Sequence, residues 1–162
     1  MPSLRWSAWE TRPVAHVCER QARLNRARRE GNSSVAKRIV YVIDDDAAVG
    51  DSFHVMLESN GFEVRSYTSA AMFLAETPPL ERSCLLVDVN MPELDGIELL
   101  ARLRRGGVMI PAVLVTGGTI TTSLVSTADR SGVALLEKPI MAQELVAEIY
   151  KALGRSDGHA DR

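Results

Sequence analysis

The sequence predicts an α/β fold, a parallel five-stranded sheet with helices on both faces. Three observations predict it. From residue 38 onward, short β-rich runs alternate five times with helical stretches, a pattern that calls for right-handed crossovers between parallel strands. The runs are nearly continuous in apolar residues, as strands are when both faces of a sheet are covered. Polar residues gather where those runs stop, on the side where open α/β sheets bind ligands.

The elements follow in order. "RIVYVI" (38–43) is the first strand, and "AAVGDSFHVMLESNG" after it carries Val49, Phe53 and Leu57 on one helix face. Asp46 suits the N-cap of that helix, and Gly61 the left-handed position that ends it. "FEVRSY" (62–67) alternates like a strand; a short helix capped by Thr68 or Ser69 then runs until Pro78 and Pro79 forbid its continuation. "CLLVD" (84–88) is a buried strand ending in a carboxylate. The helix "GIELLARLRR" places Ile97, Leu100 and Leu103 inward and its arginines outward. "PAVLVTGG" (111–118) is a strand entering a glycine turn, and "TTSLVSTADRSG" is Thr-rich with weak helix propensity. "VALLEKP" gives the last strand, and "MAQELVAEIYKAL" a helix with Leu145, Ile149 and Leu153 on one stripe.

Composition bounds the class. The chain has 162 residues, 46% hydrophobic and 25% charged, ordinary values for one globular domain. No apolar run approaches the ~18 residues of a membrane span, and no signal-peptide core opens the chain, so a cytoplasmic protein without membrane contact is expected. Cys18 and Cys84 make no disulfide framework, and Cys84 reads as a small core residue. His16, His54 and His159 share no metal-binding spacing. The net charge of −2 hides an asymmetry: residues 1–37 carry eight Lys/Arg against three Asp/Glu, and residues 38–162 carry eleven against eighteen. Residues 1–35, with Trp6 and Trp9, read as a basic, disordered N-terminal extension ending in the linker "EGNSSVAK". A basic arm touching phosphates is the other reading of this segment, but no motif gives it a shape.

The strand ends carry the chemistry. Asp44 and Asp45 follow the first strand, Asp88 ends the third, Thr116 the fourth, and Lys138-Pro139 follows the fifth. If these strands are neighbours, three carboxylates share one pocket and raise one another's pKa. Mg²⁺, a hard cation that takes oxygen ligands, resolves that conflict. Lys138 can hold an anion against the site, Thr116 offers a hydroxyl, and the glycines behind it allow close backbone approach. Metal, lysine, hydroxyl and an attacking aspartate are what phosphoryl transfer to a carboxylate requires.

The segments "VYVIDDDAAV", "LLVDVNMPELDG", "AVLVTGG" and "LLEKP" resemble, in order, spacing and strand context, the receiver domain of bacterial two-component response regulators. The likeness covers residues 36–154, leaving 155–162 as a polar tail, and is nearest to receivers of nitrogen-fixation-type regulators. It implies a doubly wound, flavodoxin-like sheet in strand order 2-1-3-4-5. It implies Asp88 as phospho-acceptor, Asp44, Asp45, Asp88 and the Asn90 backbone carbonyl as Mg²⁺ ligands, and Lys138 and Thr116 as groups contacting the phosphoryl. Met91-Pro92 and Asp95-Gly96 would shape the loop beside Asp88. The implied partners are a sensor histidine kinase or histidine phosphotransfer protein and a downstream protein target, with a homodimer compatible and no nucleic acid bound through the receiver. The implied role is a phospho-accepting signalling domain rather than an enzyme.

Two positions depart from the family's pattern. Leu135 stands where an aromatic residue is usual, and Met141 where the last helix would take a polar N-cap. Nine residues follow Leu153, too few for a helix-turn-helix, so a stand-alone receiver is expected. Two rivals differ in class. A haloacid-dehalogenase-like phosphatase needs Thr or Val in place of Ala48 and a later acidic motif, neither of which is present. A phosphorylation-independent interaction module is the other, and the complete acid, threonine and lysine set argues against it.

Overall fold

Five strands form one parallel sheet in the order β2-β1-β3-β4-β5, the order expected. The structure, a computed structural model, describes residues 37–76 and 78–157. The basic extension at 1–35 and residues 158–162 of the tail lie outside the described residues. The strands are β1 (Ile39–Ile43), β2 (Glu63–Tyr67), β3 (Ser83–Asp88), β4 (Ala112–Thr116) and β5 (Ala134–Glu137). The helices alternate with them: α1 (Ala47–Glu58), α2 (Ala70–Glu76), α3 (Gly96–Arg105), α4 (Thr122–Ser131) and α5 (Ala142–Asp157). No helix among the described residues is long and apolar enough to cross a membrane.

The apolar strands serve two cores because successive side chains point to opposite faces. Val40, Val42, Cys84 and Leu86 pack on α1 and α5 through Phe53, Leu57, Leu145 and Ile149. Tyr41, Ile43, Leu85 and Val87 face the other layer, with Phe73, Leu99 and Leu103. Leu145, Ile149 and Leu153 are buried on α5 as the stripe requires. On α3 the inward face is wider than the expected one. Leu99, Leu100 and Leu103 are buried, and Ile97, half-buried, packs against the same core. Burial pushes the Cys84 thiol up to about 12, consistent with an inert core residue.

Local chemistry sets the helix boundaries. Asp46 caps α1, its Oδ1 accepting from Ala48 N at 3.0 Å and Val49 N at 3.3 Å. Ser69, rather than Thr68, caps α2, accepting from Met72 N at 3.1 Å. After α1, Gly61 N bonds to Glu58 O and Phe62 N to Leu57 O, with Gly61 at φ 88°. This is a Schellman ending, in which glycine tolerates the left-handed backbone and the next apolar residue, Phe62, is turned into the core. Met141 precedes α5 and is exposed; its side chain supplies no cap. Helix α4 is the least anchored, since Ala128 is its one buried residue.

Candidate functional site

Register brings the polar residues together. Ile43 pairs with Val87, Asp88 with Val115, and Thr116 with Glu137, so Asp44, Asp88, Thr116 and Lys138 emerge at adjacent levels of one sheet edge. Backbone bonds extend the ladders one step beyond the strands. Asp44 N reaches Tyr67 O at 3.1 Å, Val89 N reaches Val115 O at 2.8 Å, and Lys138 N reaches Thr116 O at 2.8 Å. The backbone beneath each group is thereby fixed by the sheet rather than by a loop.

Asp44, Asp45 and Asp88 each offer a carboxylate oxygen within 4.8 Å of the others. Asp44 is 2% exposed and Asp88 6%, whereas Asp45 is exposed. Lys138, its side chain 19% exposed, reaches over both buried acids: Nζ lies 2.7 Å from Asp44 Oδ2 and 3.5 Å from Asp88 Oδ2. The remaining oxygens are held by backbone, with Asp46 N donating to Asp44 Oδ1 at 2.9 Å and Asn90 N to Asp88 Oδ1 at 3.2 Å. The Asp88 carboxyl sits above its ordinary pKa. Burial is the main cause, and Asp44 and Asp45 add to it, against the opposing pull of Asn90 N–H and Lys138. Desolvation thus outranks the like-charge repulsion that the sequence brings to notice. Three hard oxygen donors around a partly compensated charge fit a Mg²⁺ ion, which binds through one or two carboxylates and keeps several waters.

Thr116 is 1% exposed and lies beside the acids without bonding to them. Its Oγ1 accepts from Asn90 Nδ2 at 2.9 Å and from Gly118 N at 3.1 Å. Nothing in the sequence singles out the Asn90 carboxamide, because a loop side chain and the end of a separate strand meet only once the fold is known. His54 stands apart on α1, bonded to Ser66 Oγ at 3.0 Å.

The loop after Asp88 explains the "PELDG" spacing. Asp95 caps α3 by accepting from Glu98 N at 2.8 Å. Gly96 is obligatory for a different reason: a Cβ there would collide with Asp88 O and lie 2.9 Å from Val87 Cγ1. Gly96→Ala is therefore expected to destabilise the protein by about 1–3 kcal/mol, as overpacking does. A thermal melt matching the parent would show that the loop yields without cost. Glu93 takes a left-handed backbone at φ 65°, a conformation uncommon outside glycine that clusters at functional loops.

Comparison with known proteins follows the same lines. The profile of the response regulator receiver domain matches residues 40–150. The transcriptional regulatory protein FixJ of Azorhizobium caulinodans is 39% identical over 117 residues, covering 72% of this chain and 56% of that protein. FixJ of Bradyrhizobium diazoefficiens is 39% identical over 118 residues, covering 73% of this chain and 58% of its own length. The chain thus spans somewhat over half the length of these relatives. The crystal structure of FixJ-N superposes with a TM-score of 0.67 at 30% identity, over 74% of this chain and 96% of that one. Full-length FixJ from B. japonicum gives a TM-score of 0.68 at 38% identity, over 78% and 62%. A parallel 2-1-3-4-5 sheet with acids, threonine and lysine at its carboxyl edge, matched along its length by that profile, makes this chain a member of the response regulator receiver domain family.

Proposed function

We propose that this chain accepts a phosphoryl group on Asp88, in a Mg²⁺-dependent reaction, from a histidine kinase or histidine phosphotransfer protein. The change is then passed to a protein partner. The supporting observation is the pairing of a buried Asp88 carboxylate with Lys138 Nζ at 3.5 Å inside the Asp44–Asp45–Asp88 cluster. An Asp88 oxygen attacks phosphorus in line while the donor's leaving group departs with the bonding pair. Asp44 and Asp45, with the Asn90 carbonyl, would hold Mg²⁺, whose charge offsets that of the phosphoryl oxygens. Lys138 supplies a second positive charge from the protein itself, and Thr116 a hydroxyl donor. Histidine donors are charged from ATP, which favours a cytoplasmic exchange.

Incubation with acetyl phosphate and Mg²⁺, followed by intact-mass measurement, tests the reading. One added phosphoryl group, lost when Mg²⁺ is chelated beforehand, is expected. An unmodified mass under conditions that label other receivers would sink it and favour a phosphorylation-independent module.

Metal and charge should be linked in stability. Saturating Mg²⁺ should raise the melting temperature, by about 2.7 kcal/mol of stability at a hundredfold excess over Kd. Asp45→Asn should melt higher than the parent without metal, because it relieves repulsion, and should lose most of the Mg²⁺ response. A lower metal-free melting point would mean that Asp45 has a structural role.

Signal output must bypass an aromatic swing at residue 135. Leu135 is half-buried and packs against the core, with neither ring nor polar tip to report a change. The weakly anchored segment 117–132 is the better two-state element. Phosphorylation should alter amide exchange most across those residues, with Leu135→Ala leaving the change intact. Loss of the response in that variant, with folding preserved, would return the coupling to position 135.

A further inference from the structure

We propose that the Asn90 side chain is a positioning residue that latches the Thr116 hydroxyl in its resting place, so that phosphorylation must break this latch before the hydroxyl can serve Asp88. The inference rests on the phosphoryl-acceptor reading above and goes beyond it. A hydroxyl has two acceptor lone pairs and one proton. Both lone pairs of Thr116 are engaged, one by Asn90 Nδ2 at 2.9 Å and one by Gly118 N at 3.1 Å. No hydrogen bond joins this hydroxyl to Asp88 among the described residues. Moving Oγ1 toward a phosphoryl group therefore gives up bonds already made.

A carboxamide turned over would instead take the hydroxyl proton, so the contact opposes release in either orientation. Space confirms how closely the amide is seated. A Cβ on Gly118 would lie 3.0 Å from Asn90 Nδ2 and 3.6 Å from Thr116 Oγ1, so glycine at 118 leaves the room that the amide occupies. Asn90 also donates its backbone N–H to Asp88 Oδ1 at 3.2 Å. One residue thus touches the acceptor carboxylate through its backbone and the hydroxyl through its side chain.

The latch predicts that weakening it eases the transition. Beryllofluoride with saturating Mg²⁺, a phosphoryl mimic that needs no turnover, is titrated by calorimetry into the parent, Asn90→Ala, Thr116→Ala and the double variant. Asn90→Ala should bind beryllofluoride about three- to tenfold more tightly, the factor one neutral hydrogen bond is worth. In the Thr116→Ala background the same substitution should change nothing. Gly118→Ala, which crowds the amide from the other side, should tighten binding in the same direction. A metal-free readout is independent of the mimic: the Hα–Hβ coupling of Thr116 should report one rotamer in the parent and an average in Asn90→Ala. Unchanged or weaker binding by Asn90→Ala, an equal gain without the hydroxyl, or a single Thr116 rotamer in Asn90→Ala would each overturn the latch. Failure of the parent itself to bind beryllofluoride would instead overturn the acceptor reading, and the latch with it.

Discussion

Replacing Asp88 with asparagine is expected to abolish labelling by acetyl phosphate and also to stabilise the metal-free protein. The first effect follows from the proposed placement of the attack. Asp44 Oδ1 is tied to Asp46 N and its Oδ2 to Lys138 at 2.7 Å, and Asp45 projects into solvent, whereas Asp88 Oδ2 is held less closely, 3.5 Å from Lys138 Nζ. Labelling should fall to background, and an intact-mass spectrum with one phosphoryl group on the variant would relocate the acceptor. The second effect follows from the raised pKa of Asp88. The folded protein holds that proton more tightly than the unfolded chain, whose carboxyl titrates near 3.8. Between the ordinary value and the raised one the native state binds more protons, so this group's contribution to stability falls as pH rises through the folded pKa. The asparagine side chain carries no charge, so the advantage of the variant over the parent should be full at neutral pH and vanish as pH falls toward the ordinary value. Thermal melts across that range check the sign. An asparagine variant less stable than the parent at neutral pH would mean that the Asp88 charge is fully compensated by Lys138.

Lys138→Met should be the most destabilising substitution at the site. Removing one partner of a buried pair strands the other charge, and Asp44 is 2% exposed with Lys138 Nζ at 2.7 Å. The cost is expected at about 3 kcal/mol, the low end for buried pairs because the lysine side chain keeps 19% of its exposure. In a domain of this size the melting temperature should drop by roughly 10 °C. Mg²⁺ should recover part of the loss, since it supplies positive charge to the same carboxylates. Adding Asp44→Asn should also recover stability, because the stranded charge is then gone. A metal-free melting point within about 3 °C of the parent would show that water reaches Asp44 well enough to make the lysine dispensable.

The order of elements, the two-sided burial and the gathering of charged residues at the carboxyl ends of the strands could be read from the chain. Short continuous apolar runs, capping residues such as Asp46, and the strand-ending carboxylates are signals confined to a few neighbouring positions. That Asp44, Asp45, Asp88, Thr116 and Lys138 would come together was legible because each ends or follows a strand, and parallel strands all end on the same side. The role of Gly96 was only partly legible. Its place in "PELDG" marked a shaped loop, but the contact with Asp88 O that excludes any larger residue is made across a turn.

What only the tertiary structure decided is how those groups divide their bonds. Lys138 is nearer Asp44 than Asp88 by less than an ångström, from a backbone fixed by the β4–β5 register and the Lys138 N bond to Thr116 O. Burial, more than like-charge repulsion, lifts Asp88, because the helices packed on both faces remove water from the sheet edge. Leu99 joins Leu100, Leu103 and the half-buried Ile97 on the inward face of α3. Asn90 meets Thr116 across 26 residues of chain, and no local pattern encodes a contact between a loop and the end of a distant strand. Which side chains a strand end presents depends on neighbours along the chain, and the sequence alone determines that. Which of them touch depends on strand register and loop path, and those are settled by packing of the whole sheet.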